Sequence, residues 1–95
     1  MESKTKYYRI PAEVMQNKDI SYAAKCLYSV ILSLSKNKRG VCWARNQALA
    51  EITGSTIGGV SNCLAELKKA KYVTIETQRK GYTVVMRVIM PNVNV

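Results

Sequence analysis

The side chains best suited to recognising another molecule gather between Arg45 and Lys69, and again at Arg79-Lys80. They are amides, hydroxyls and cations, the groups that bond base edges and phosphate oxygens, and if double-stranded DNA is the ligand each takes a role. Asn62 is the leading base reader, because its amide can pair bidentately with adenine. Thr56, Ser61 and Ser55 bring hydroxyls to the same surface. Asn46 and Gln47 can bond phosphate through their side chains and a helix N-terminus, with Arg45 adding a charge there. Arg79 and Lys80 suit the minor groove or the backbone, and Lys69 extends the basic surface. Lys36, Lys38 and Arg39 form a second basic cluster of unassigned orientation.

Two amphipathic patterns place these groups. The stretch NQALAEITGSTIGGVSNCLAELKKAKY, Asn46 to Tyr72, breaks at Gly54. Glycine reaches the left-handed backbone conformation without a Cβ clash, so a helix stops there. Leu49, Ala50 and Ile52 supply the apolar side of the first helix. Val60, Leu64 and Leu67 supply that of the second, at helical spacing. Ser55 or Thr56 caps the second helix, and Lys68-Lys69 suit the negative end of its dipole. A helix, a tight turn and a second helix form the unit that usually lays its second helix in the major groove.

Composition supports a polyanionic partner. Fifteen Lys and Arg stand against 6 Asp and Glu with no His, a formal charge of +9, and such an excess repels itself in the folded state. An enzyme is not expected: histidine is absent, the acids are scattered singly, and no phosphate-cradling glycine loop appears. Cofactors, metals and small-molecule substrates are expected to be none. Cys26, Cys42 and Cys63 form no C-x-x-C pair, which speaks against zinc. No apolar leader or membrane-length run is present, so a reducing cytoplasm and free thiols are expected, with no membrane partner. Cys26 and Cys63 fall on apolar helix faces and read as small core residues.

Along the chain, YYRIP reads as a short strand, with Pro11 closing it or opening a helical turn over Ala12 to Gln16. Ser21 caps a long helix whose apolar positions are Ile20, Ala24, Leu27, Tyr28, Ile31 and Leu34. Gly40 lets the chain reverse. Val41-Cys42-Trp43 is a short extended piece in a small sheet, with Trp43 plugging the core. Val73 and Ile75 alternate with polar residues in one strand. The residues from Tyr82 to Met90 alternate in a second, apolar on nearly both faces. Gln78-Arg79-Lys80-Gly81 is the turn between them, with glycine at positive φ. Pro91 ends the strand and Asn92 to Val95 fray.

The order strand, helix, strand, two-helix unit and hairpin gives one α+β domain over residues 1–95, with its core at about 7–90. YYRIP, the Ser21 helix, VCW, LAEITGS, the Val60–Leu64–Leu67 series and KKAKYV together resemble the winged helix-turn-helix domain at the front of plasmid and phage replication initiators and related bacterial regulators. The resemblance covers about Tyr7 to Met90. It implies a three-helix core, a small antiparallel sheet and a C-terminal β-hairpin wing. It also implies DNA binding by a small regulator of transcription or replication, from a phage, plasmid or other mobile element.

The pattern departs at Gly58-Gly59, where similar domains often carry Arg, Lys or other polar base readers. Arg45 likewise stands where they more often have a small capping residue. Two readings of the glycines stand open. The helix approaches DNA so closely that its backbone, Gly58 included, makes contact. Alternatively, base reading is lost and the surface serves a protein partner, making the chain an interaction module that binds or inhibits a replication or transcription protein. The chain is either a fragment or a small regulator, and a regulator of this size is expected to form a homodimer. The N-terminal strand, the Ser21 helix and the Val84-to-Met90 strand are its candidate interfaces.

Overall fold

A computed structural model describes the chain from residue 8 to residue 92, the side chains of residues 83–86 excepted. The fold is α+β: α1 (Ala12–Met15), α2 (Tyr22–Leu34), α3 (Asn46–Thr53), α4 (Ile57–Lys69), β1 (Val73–Lys80) and β2 (Thr83–Pro91). One cluster of buried residues, from Val14 to Ile89, joins all four helices to the sheet.

The helices form where capping and periodicity favour them. Pro11 precedes the single turn of α1 with φ −57°, the angle its ring imposes. Ser21 caps α2, its hydroxyl accepting the Ala24 N–H. Ala24, Leu27, Tyr28 and Ile31 turn into the core, the arc expected of a period near 3.6. Leu34, in the last turn, is 38% exposed. Two cross-links fix the bundle. The Ser21 backbone N–H and hydroxyl each donate to a Glu66 carboxylate oxygen at 2.9 Å, so α4 supplies an anion to the start of α2. Buried Lys25 donates to the Met15 carbonyl at 2.6 Å, holding α1 against α2.

α3 ends at Gly54, whose φ of +70° is the left-handed stop. Thr56, rather than Ser55, caps α4 by accepting the Gly59 N–H at 3.0 Å. α4 ends in paired bonds, Lys71 N–H to Lys68 O and Tyr72 N–H to Leu67 O. Lys71 occupies the left-handed position of this motif, with φ +66°, where glycine is the usual residue.

β1 and β2 pair antiparallel from Val73↔Pro91 to Lys80↔Thr83, with an irregularity at Gln78/Arg79 that leaves Val85 as an extra residue. Cys42 exchanges both backbone hydrogen bonds with Ile89, at 2.8 and 2.9 Å, along the other edge of β2.

Several expectations change. Residues 8–10 form no strand; Tyr7 lies outside the described residues. Trp43 does not plug the core but is 43% exposed. Cys42 beside it is fully buried, and successive side chains of an extended chain point to opposite sides. Ile52 is 42% exposed, because the short α3 packs through Leu49 and Ala50 alone among its fully buried positions. Cys26 is exposed, at the lip of a groove over Cys63 that α3, α4 and the turn between them leave open. Gln78, Arg79 and Lys80 belong to β1, and the turn is Gly81-Tyr82, with Gly81 at φ +66°. Tyr82 is accordingly a fully exposed turn residue and not the start of an alternating strand. Asn92 is not frayed. Its backbone N–H donates to Tyr72 O at 2.7 Å, its Nδ2 donates to Lys71 O at 2.9 Å, and its Oδ1 accepts from Thr74 at 3.2 Å. Residues 93–95, and the side chains of Val84, Val85 and Met86, lie outside the description.

Candidate nucleic-acid interface

α4 divides cleanly into two faces. Val60, Cys63, Leu64 and Leu67 are buried. Gly58, Ser61, Asn62, Ala65, Lys68 and Lys69 are exposed, and their spacing makes them one continuous stripe. The stripe holds no carboxylate, because the single acid of α4, Glu66, is turned to Ser21. Ser61 and Asn62 sit near its middle, with no internal hydrogen bond of their side chains among the described residues. The stripe is thus narrow, of low relief at its start and positively charged at its end.

The two glycines have different physical explanations. A Cβ on Gly59 would meet the Thr56 hydroxyl oxygen at 3.2 Å, so that residue is small because the cap lies against it. A Cβ on Gly58 would meet nothing within 4 Å, so no described residue requires glycine there.

Around this stripe, Ser55 is exposed and its hydroxyl lies 2.8 Å from that of Thr53. The Thr56 hydroxyl accepts the capping bond yet keeps its proton free to donate. Arg45 holds the N-cap position of α3 without a side-chain cap, and its side chain is exposed, as is that of Gln47. Asn46 is committed inward. Its Oδ1 accepts from Arg87 Nη1 at 2.6 Å, while Arg87 Nη2 donates to the Ala44 carbonyl at 2.7 Å. Arg79 and Lys80, at the end of β1, are exposed, and Tyr82 projects from the turn just beyond them.

Arg87 was not among the expected site residues. Burial pushes its guanidinium below the ordinary arginine range, and it positions the segment that leads into α3. Its signal in the sequence is its place two residues before buried Ile89, an arginine on the inward-facing register of an otherwise apolar strand. Lys68, read from the sequence only as a dipole partner, shares the stripe with Lys69.

Among the described residues no group of three or more His, Cys, Asp or Glu is placed to hold a metal. No described helix is long and apolar enough to cross a membrane. Burial raises the thiols of Cys42 and Cys63 above their ordinary range, which disfavours the reactive thiolate. Compared with protein-family models, curated proteins and solved structures, the chain matches none.

Proposed function

We propose that the protein binds double-stranded DNA as a winged helix-turn-helix domain. In this reading α4 lies in the major groove and the β1–β2 hairpin acts as a wing beside it. The observation that carries the reading is the α4 stripe, with Ser61 and Asn62 exposed, Lys68 and Lys69 at its end, and the only nearby acid of the helix tied to Ser21. Asn62 reads base edges, and Ser61 and Thr56 assist. Arg79, Lys80, Lys69, Arg45 and Gln47 hold phosphates. Asn46 then acts through Arg87, setting the start of α3, rather than as a free phosphate ligand. Gly58 allows the helix backbone a close approach. The role is that of a small regulator of transcription or replication in a mobile element, not of an enzyme.

Fluorescence anisotropy with a random duplex at low and moderate salt tests this. Binding that weakens steeply with salt is expected, and no binding below about 100 μM at low salt sinks it. Arg79→Ala/Lys80→Ala should weaken binding to all sequences alike. Asn62→Ala should relax preference at one base, by roughly 1–3 kcal/mol.

A second reading rests on Ile52 and Ile57, 42% and 53% exposed, which flank the α3–α4 turn. Such apolar surface suits a protein partner, in which case the domain is an interaction module. Absent DNA binding, together with loss of partner binding in Ile57→Asp, would favour it.

A further inference from the structure

A solvent-open cavity of about 250 Å³ lies between α1, α2 and the turn joining α4 to β1, room for a small organic molecule. One wall is apolar, built from Pro11, Val14 and Ala70. Tyr28 and Tyr72 form another, their rings tilted at 47° with centroids 5.6 Å apart.

Two of the lining residues, Tyr28 and Tyr72, carry hydroxyls with a proton to donate. Tyr28 is only 2% exposed, and its hydroxyl has no hydrogen-bond partner among the described residues. The ring and hydroxyl of Tyr28 line the cavity beside Tyr72. Burial first, and the nearby Glu13 carboxylate second, push the phenol above its ordinary range, so it remains a donor at neutral pH. The Tyr72 hydroxyl accepts from Asn17 at 2.8 Å and retains its own proton. Asn92, by contrast, is fully committed to Lys71 and Thr74.

The remaining described lining residues are Glu13 and Lys71, both exposed. Opposite charges at one small cavity discriminate among ligands: a simple anion is repelled by Glu13 and a simple cation by Lys71. We propose that this cavity binds a small zwitterion of the amino-acid class. Its ammonium lies on Glu13, its carboxylate on Lys71 and the Tyr28 hydroxyl, and its side chain against Pro11, Val14 and Ala70. The site is separate from the α4 stripe and does not depend on the DNA reading.

The test is titration of the isotope-labelled full chain, followed by amide NMR, with each of the 20 common free amino acids at about 10 mM. At least one is expected to shift resonances around Val14 and Lys71. Its carboxamide and its N-acetyl derivative, each lacking one charge, should bind at least tenfold more weakly. Glu13→Gln and Lys71→Gly should each weaken binding about tenfold. Glycine suits the positive φ at position 71, so a loss there is not a loss of fold. If none of the 20 shifts these resonances, or if both derivatives bind as well as the parent, the proposal is overturned.

Discussion

The guanidinium of Arg87 donates to the side-chain carbonyl of Asn46 at 2.6 Å and to the main-chain carbonyl of Ala44 at 2.7 Å, so the middle of β2 sets the first turn of α3. Lysine is a point donor and cannot serve two acceptors in this fork geometry. Arg87→Lys should therefore cost roughly 1.5–3 kcal/mol, the range for hydrogen bonds to charged groups. Urea denaturation measures it, and a cost below about 0.5 kcal/mol would show the fork to be dispensable.

Gly58 and Gly59 should respond differently to alanine. At position 58 the new methyl meets open space, and the helix gains up to about 1 kcal/mol. At position 59 it presses on the capping hydroxyl at 3.2 Å, offsetting that gain. Thermal melts compare the two. If α4 approaches DNA through its backbone, Gly58→Ala also weakens DNA binding while raising stability, a pairing that simple unfolding cannot mimic.

Lys71 holds φ +66° without the freedom of glycine. The left-handed conformation costs an L-residue about 1–2 kcal/mol, so Lys71→Gly should stabilise the chain by up to about 1 kcal/mol once the added entropy of the unfolded state is counted. A lowered melting temperature would mean that the lysine side chain contributes packing that outweighs the backbone strain.

Thiol chemistry should separate the three cysteines. Cys26 is exposed, whereas Cys42 and Cys63 are buried with thiols raised by burial. One fast-reacting thiol per chain is expected with an aromatic disulfide reagent at pH 8, and Cys26→Ser should abolish it. Cys42, fully buried, should react only at the rate of unfolding, and Cys63, 9% exposed beneath the groove, more slowly than Cys26. Rapid reaction of all three would contradict the packing around Cys42.

Stability should decline at high pH. Tyr28, Cys42 and Cys63 all have folded-state values above their ordinary ones, chiefly through burial. The unfolded chain then loses these protons first, from roughly pH 8.5 for thiols and 10 for phenols. The native state's advantage is complete below that range and shrinks as pH rises through the folded values. A urea midpoint at pH 10.5 equal to that at pH 7.5 would refute this, and Tyr28→Phe should lessen the decline.

Much of the fold is legible locally. Ser21, Gly54 and Gly81 are punctuation whose conformations follow from residue type. Val60, Leu64 and Leu67 show their buried face through spacing alone. What fails depends on neighbours that spacing does not reveal. Trp43 is apolar, but its direction follows from Cys42 pairing with Ile89, a partner 47 residues away. Cys26 lies on an apolar helix face, but the groove beside it is lined by Thr53, Ser55 and Val60 from elsewhere in the chain. For the candidate site, polar residue types and the α4 stripe are visible in the sequence. The inward commitment of Asn46 is not, since it needs Arg87 from a different element.

Asn92 fastens the open end of the β1–β2 hairpin with bonds to Lys71, Tyr72 and Thr74. The far end is the bare turn Gly81-Tyr82. Ile89 and Arg87 tie the middle of β2 to Cys42, Ala44 and Asn46, so the hairpin is held along its length up to the Thr77↔Arg87 pair. Beyond that pair only about three residues of each strand and the turn overhang, roughly 10 Å at about 3.3 Å per residue. Arg79, Lys80 and Tyr82 ride on that short overhang, so their reach is set by the same ties that position the start of α3.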